Sequence, residues 1–109
     1  MIHFDFKQFS KSPITVRCPT TEEAANLFSF LRSETDARWS NGDELTYTEH
    51  RVHGKNTHYD FGSNVHGMQY GSGRWGKEHG STFMSVYEFI EMHRGNHAED
   101  LVPDFSDIL

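Results

Sequence analysis

Three glycines in the run Gly71-Ser72-Gly73-Arg74-Trp75-Gly76 match the letters of the phosphate-binding motif G-x-G-x-x-G. In a dinucleotide-binding site this spacing lets the backbone approach a pyrophosphate at the beginning of a helix. The residues that follow, Lys77 to Ser81, are typical of a turn and not of a helix. The run therefore predicts a Gly-rich hairpin loop. Gly71, Gly73 and Arg74 remain ligand-binding candidates for an alternative function, in which the protein sequesters a small nucleotide signal.

The chain contains eight histidines, and four of them could gather on neighbouring strands: His50, His53, His58 and His66. Imidazole nitrogens on neighbouring strands can bind zinc. However, His50 and His53 are three residues apart and would point to opposite faces of one strand. Cys18 is the only cysteine and has no partner thiolate. We expect no metal and no other cofactor.

General acid–base catalysis needs a histidine or carboxylate pair in a cleft. Candidates lie in the expected β region: His58, Asp60, His66 and His79. The sequence has no Gly-x-Ser-x-Gly nucleophile elbow and no phosphate loop ending in Gly-Lys-Ser/Thr, and Cys18 beside Pro19 is typical of a core thiol. We therefore expect no enzymatic activity, and we keep a small metal-dependent hydrolase as an alternative.

Large aromatic side chains are the stronger candidates, because aromatic residues make up 14% of the chain. Five of them cannot all fill the core of so small a domain: Trp39, Tyr47, Tyr59, Tyr70 and Trp75. Exposed Trp and Tyr side chains are typical anchors of protein interfaces. We predict that Trp39, Tyr47 and Trp75 contact a protein partner. The alternative is that Trp39 and Trp75 close the ends of the sheet.

The net charge of −6, from 16 acidic and 10 basic side chains, argues against direct binding of nucleic acid, whose backbone is bound through Lys and Arg. Four acids lie near the C-terminus with no Lys or Arg among them: Glu99, Asp100, Asp104 and Asp107. This acidic tail could occupy a partner's basic groove, where phosphates normally lie. It could also pack on its own domain or remain disordered.

Local patterns predict the elements that position these residues. Alternation of Ile14, Val16 and Cys18 predicts a strand from Ile14 to Cys18. A capping box at Thr20 and Glu23 predicts a helix from about Thr21 to Ser33. Its apolar residues have helical spacing: Ala24, Leu27, Phe28 and Leu31. A second capping box, Ser85 and Glu88, begins a helix that should end at Gly95.

Between the two helices, Gly, Asn and Ser clusters separate short segments with β character. After a turn at Trp39 to Asp43, the segments are Leu45 to Val52, Thr57 to Phe61, Val65 to Tyr70 and a piece around Thr82 to Met84. These patterns predict the α+β class. We expect a short antiparallel β-sheet of about four to five strands packed by two helices, in the order β-α-β-β-β-β-α. One domain should cover residues 1–95, followed by an acidic tail over residues 96–109.

Targeting signals are not visible in the sequence. The segment Met1 to Lys7 lacks the basic region and long apolar run of a secretory signal. No stretch approaches the roughly 20 apolar residues that span a bilayer. A single cysteine permits no internal disulfide, which suits a reducing compartment. We expect a cytoplasmic protein that does not bind membranes.

Several short motifs occur in a fixed order: Ile14-x-Val16-x-Cys18-Pro19-Thr20, a Glu-rich amphipathic helix, Trp39-Ser40-x-Gly42, Asn56-Thr57-His58-Tyr59, Tyr70-Gly71, Gly80-Ser81-Thr82-Phe83 and Glu88-Phe89. From Ile14 to His93 the chain resembles a diffuse group of small phage and prophage proteins of unassigned role. The resemblance implies a phage accessory protein, and such products are often counter-defence factors, such as anti-CRISPR proteins, that bind and block a host immune protein. It carries over no functional residues. We expect an inhibitor that acts through a protein surface in the cytoplasm of the bacterial host.

Overall fold

Both long helices begin at the predicted capping boxes. The computed structural model of the protein describes residues 2–96. Helix α1 spans Thr21–Glu34, and the backbone N–H of Glu23 donates to Thr20 Oγ1 over 3.1 Å. In this part of the chain, no helix is long and apolar enough to cross a membrane.

The capping box that precedes the last helix is equally regular. The backbone N–H of Ser85 donates to Glu88 Oε1, and the N–H of Glu88 donates to Ser85 Oγ, each over 3.1 Å. The helix that follows, α4, spans Val86–Asn96. The predicted end at Gly95 is wrong, because the helix continues through this residue. Only open space surrounds the position that a Cβ at Gly95 would take.

Four short strands form one sheet among the described residues. They are β1 (Ile14–Arg17), β2 (His58–Phe61), β3 (Gln69–Gly71) and β4 (Thr82–Ser85), and their order in the sheet is β3-β2-β1-β4. The predicted α+β class is confirmed. β1 and β3 both pair antiparallel with β2, but β4 pairs parallel with β1, so the sheet is mixed and not wholly antiparallel.

The connection between β3 and β4 explains why β4 pairs parallel with β1. Parallel strands need a crossover, most often through a helix, whereas a hairpin joins antiparallel neighbours. Here the glycine-rich run leads into a short helix, α3, which spans Arg74–Glu78 and carries the chain from β3 to the opposite edge of the sheet. The prediction of a hairpin loop at Gly71 to Gly76 is therefore wrong, and of the turn predicted from Lys77 to Ser81 only residues 79 and 80 form a turn, because Lys77 and Glu78 belong to the helix.

The strand predicted from Leu45 to Val52 is also absent. Leu45 is buried, but Glu49 has a φ of 55°, a backbone conformation that a strand does not accommodate. The chain instead forms a one-turn helix, α2, over His50–His53, and then a 3₁₀ turn. Of the segment predicted from Val65 to Tyr70, only the last two residues lie in a strand.

One face of the sheet carries the hydrophobic core. Phe61 of β2 stacks on Phe89 of α4 with ring centroids 4.6 Å apart, and Phe28 of α1 contacts Tyr59 of β2 at 5.0 Å. The N-terminal segment supplies three further buried rings that the sequence patterns did not identify: Phe4, Phe6 and Phe9. All four residues of the predicted α1 stripe are buried in this core.

The opposite face is polar and is covered by α3. Its central residues are Thr15 of β1 and Asp60 of β2, which are register partners and are both buried. Helix α3 approaches through Gly76, where a Cβ would lie 3.1 Å from Thr15 Cβ and 3.0 Å from Phe83 Cζ. The helix lies this close to the sheet because Gly76 has no side chain.

Candidate functional site

A cavity of about 640 Å³ lies beside β3, at the edge of the sheet. We call it the β3 cavity. Its wall includes Tyr70, the register partner of Tyr59 on the core face, and Gln69, the partner of Asp60 on the opposite face. Since paired residues point to the same side of a sheet, the wall combines side chains from both faces. The cavity therefore curves around the edge of the strand.

The backbone of this edge is only partly paired. Met68 donates its N–H to Arg38 O over 2.9 Å and accepts from Ser40 N–H over 3.0 Å. Backbone groups alternate in direction along a strand, so the N–H and C=O of Tyr70 face outward as those of Met68 do. Within residues 2–96 no backbone group pairs with this outward side of Tyr70. β3 thus presents an open donor and acceptor at the cavity.

Aromatic rings form one part of the wall. Tyr47 stacks on Trp39 with centroids 5.4 Å apart and planes 17° apart, and Tyr70 meets Trp39 edge-on at 5.9 Å. Trp39 is only 4% exposed beneath them, whereas Tyr47 and Tyr70 are 38% and 39% exposed. Trp75 completes the aromatic wall from α3, half-buried and stacked on His79 at 4.4 Å.

The structure brings together residues that the sequence assigned to two different hypotheses. The proposed partner contacts, Trp39, Tyr47 and Trp75, line the same cavity as Gly71 and Arg74, which were the nucleotide-binding candidates. Gly73 lies beside the cavity but is buried against His58. The four acids of the predicted contact set in the tail, Glu99, Asp100, Asp104 and Asp107, lie outside the described residues. Trp39 is buried, so an approaching molecule reaches Tyr47 first.

Asp60 is the buried charge of the cavity wall. It is 3% exposed, and Thr15 Oγ1 donates to its Oδ1 over 2.8 Å. Ser81 Oγ lies 2.8 Å from the same Thr15 oxygen, and because a hydroxyl has one hydrogen, Thr15 then accepts from Ser81. Burial raises the pKa of Asp60, against the opposing effects of Thr15 and of two nearby histidines, His58 and His79.

The second carboxylate oxygen of Asp60 is available to the cavity. Within the described chain, Asp60 Oδ2 has no hydrogen-bond partner. A Cβ at Gly71 would stand 3.7 Å from this oxygen, so the glycine leaves the approach to it open. Sequence patterns missed Asp60 as a binding residue. The available signal was a carboxylate between Tyr59 and Phe61, inside a strand that is otherwise typical of a buried one.

Glu49 is the second acid of the wall. It is the one non-glycine residue with a positive φ among residues 2–96. Backbone strain of this kind costs on the order of 1–3 kcal/mol and is typical of ligand-binding and active sites. In the same residues the Glu49 side chain has no hydrogen bond and no ion pair, whereas Arg74 Nε is paired with Glu78 Oε1 at 2.9 Å. The acids of the cavity are therefore unpaired, while its arginine is paired.

The histidines and the cysteine that were candidates for metal binding or catalysis lie in other surroundings. No group of three or more His, Cys, Asp or Glu side chains able to hold a metal ion occurs between residues 2 and 96. His50 is buried and its Nε2 lies 2.9 Å from Cys18 O, which gives the ring a structural role. Burial raises the pKa of the Cys18 thiol to about 12, so it is a poor nucleophile.

Comparison with known proteins adds no further assignment. The chain matches no protein-family model, no curated protein and no solved structure. The resemblance to phage accessory proteins therefore stays a prediction. The features that bear on function lie together at the β3 cavity: partly exposed aromatic rings, two acids without an ion pair in residues 2–96 and an open strand edge.

Proposed function

We propose that this protein is a small non-enzymatic binding protein that acts by blocking a protein partner through the β3 cavity. The observation that carries the proposal is the grouping of Tyr47, Tyr70 and Trp75 around an open strand edge. Half-exposed aromatic side chains around a concave surface are the usual anchors of protein interfaces. An open strand edge adds main-chain hydrogen bonds to an extended segment of a partner.

The identity of the partner follows from the resemblance alone. If the chain is a phage counter-defence factor, the partner is a host defence protein, such as a CRISPR effector, in the cytoplasm of the bacterium. A partner that binds nucleic acid would have a basic groove, and the acids of the tail would add long-range attraction to it. Inhibition would then need no catalysis and no cofactor.

Charge favours a protein over a nucleotide as the occupant. A protein that sequesters a nucleotide signal needs several basic side chains that converge on the phosphates. The described wall contains one arginine, Arg74, whose side chain is 84% exposed and paired with Glu78, and it also contains Asp60 and Glu49. A phosphate would meet more negative than positive charge in this cavity.

The test is affinity capture from a bacterial lysate with the tagged full-length chain, followed by mass spectrometry of the captured proteins and small molecules. We expect one stoichiometric protein partner for the wild type. The double variant Tyr47→Ala/Trp75→Ala should lose most of it, since both rings line the cavity. Tyr87→Ala is the matched control, because Tyr87 is 71% exposed and lies on α4, outside the cavity wall.

Two outcomes would contradict the proposal. If the double variant folds, as circular dichroism reports, and captures as much partner as the wild type, the cavity is not the interface. If a nucleotide co-purifies in place of a protein, sequestration of a nucleotide signal becomes the better account of the function. A third variant tests the tail: Glu99→Gln/Asp100→Asn/Asp104→Asn/Asp107→Asn should weaken capture at low salt but not at high salt.

A further inference from the structure

The electrostatic balance of the β3 cavity identifies the chemistry of its occupant. Asp60 is 3% exposed and keeps one carboxylate oxygen without a hydrogen bond, and Glu49 has no ion pair within the described chain. Two histidines, His58 and His79, favour the charged form of Asp60, but no Lys or Arg of the described chain forms an ion pair with it. A buried carboxylate without an ion pair is costly, because low-dielectric surroundings solvate it poorly. A cation that reaches Asp60 from the cavity would supply the missing partner. The site therefore favours a positively charged group.

Among positively charged groups, the aromatic wall favours a planar cation. Tyr47, Tyr70 and Trp75 offer ring surfaces that are partly exposed to the cavity. A guanidinium group stacks on such faces, is more weakly hydrated than an ammonium group, and presents several N–H donors in one plane. An ammonium group loses more hydration when it enters and cannot stack. Arginine therefore fits the wall better than lysine does.

The main-chain groups indicate that the arginine belongs to an extended segment. Tyr70 presents an unpaired N–H and C=O at the strand edge, where an added strand would pair. A free small cation would leave these groups unpaired.

We propose that the β3 cavity binds an arginine side chain of the partner, with its guanidinium paired to Asp60 and packed against the aromatic rings that line the same cavity. This inference rests on the proposed function, since it names the group that the partner inserts. Arg74 does not oppose it strongly, because Glu78 neutralises Arg74 at the rim.

The experiment is a titration of the ¹⁵N-labelled full-length chain, followed by ¹⁵N–¹H correlation spectra. The probe is a blocked pentapeptide with a central arginine between glycines and serines. Matched peptides carry citrulline or lysine in its place. Citrulline keeps the planar shape of arginine but has no charge. We expect saturable shifts at Asp60, Tyr70, Gly71 and the Trp39 indole with arginine, shifts several-fold weaker with lysine, and none with citrulline.

Two variants test the role of the carboxylate. Asp60→Asn should weaken binding of the arginine peptide by about tenfold or more, since it removes the buried member of the charge pair. Glu91→Gln should leave binding unchanged, because Glu91 is exposed on α4 and is not part of the wall. The spectra themselves report whether each variant is folded.

The outcomes separate this inference from the proposed function. If the citrulline peptide binds as well as the arginine peptide, or if Asp60→Asn binds as well as the wild type, the inference is overturned. If no peptide shifts the cavity residues while Tyr47→Ala/Trp75→Ala still abolishes partner capture, the inference fails and the proposed function stands. If the arginine peptide binds but capture does not depend on the cavity, the proposed function fails and the cavity remains a guanidinium site.

Discussion

Asp60 and Phe61 are neighbours in β2 and point to opposite faces of the sheet, and the side chains that surround them differ in kind. Phe61 is fully buried among aromatic rings, with Phe6 at 5.8 Å and Phe89 at 4.6 Å between centroids. Asp60 is almost as buried, but Thr15 is the one hydrogen-bond partner of its side chain in the described chain. The packed face is filled by aromatic rings. The opposite face retains a carboxylate oxygen on Asp60 that is free within residues 2–96, and this oxygen is what that face contributes to the β3 cavity.

The largest effect should come from truncation of the packed face. Phe61→Ala removes a ring from the centre of the core and should lower the free energy of unfolding by about 3–5 kcal/mol. Phe83→Ala on the opposite face should cost less than half as much, because Phe83 is only partly buried. Urea unfolding monitored by circular dichroism measures both. Equal losses would show that the two faces contribute alike to stability, and the contrast between them would not hold.

The next largest effect should come from Gly76→Ala, which tests how closely α3 packs on the polar face. Gly76→Ala places a methyl group against Thr15 and Phe83, which should displace the helix and cost about 1–3 kcal/mol in spite of the better helix propensity of alanine. Gly95→Ala is the matched control in α4, where a Cβ meets open space. It should be neutral or stabilising. If Gly76→Ala is as stable as the wild type by thermal unfolding, the contact between α3 and the sheet is looser than the geometry indicates.

The buried carboxylate of Asp60 should make the stability of the fold depend on pH. The pKa of Asp60 is raised by burial, so the folded chain holds this proton more tightly than the unfolded chain does. Asp60 therefore stabilises the fold most at low pH, and stability falls as the pH rises from the ordinary value of 3.8 through the raised pKa. A tenfold difference in proton affinity between the folded and unfolded chains corresponds to about 1.4 kcal/mol of stability.

Asp60→Asn should abolish this fall, because asparagine does not titrate and its Oδ1 still accepts from Thr15. The stability of the variant relative to wild type should rise with pH above about 4 and then level off. Urea unfolding at a series of pH values measures the difference. A constant difference across that range would mean that Asp60 titrates alike in the folded and unfolded chains, and its burial would then have no electrostatic consequence.

The packed face was largely predictable from the sequence because its signals are local. The capping box at Thr20 and Glu23 and the spacing of Ala24, Leu27 and Phe28 all lie within one helix. They correctly identified both the helix and the side that it buries. The N-terminal rings were missed, since Phe4, Phe6 and Phe9 have no regular period, and only tertiary contact with Phe61 reveals their role.

The β3 cavity was not predictable as a site, because its wall joins two segments that are distant in the chain. Trp39 and Tyr47 meet Tyr70 and Trp75 only after Met68 pairs with the Trp39 segment. The positive φ of Glu49 replaced an apparent strand with an irregular segment, and no local pattern encodes this. The individual residues Trp39, Tyr47 and Trp75 were still chosen from the sequence, since large rings in a small chain exceed what its core can hold.

The smallest effect should come from the rim of the packed face, where Arg94 of α4 donates to both carboxylate oxygens of Glu34 of α1. The hydrogen bond from Arg94 lowers the pKa of Glu34, so the sign of its pH dependence is opposite to that of Asp60. The stabilisation that Glu34 provides is present above the ordinary pKa of 4.5 and is lost as the pH falls through the lowered pKa.

Exposed ion pairs contribute little to stability, so Glu34→Gln should cost under about 1 kcal/mol near pH 7, less in high salt, and nothing at low pH. The same urea series measures this. A loss as large as that of Phe61→Ala would show that charge, and not ring packing, holds α1 and α4 together on this face.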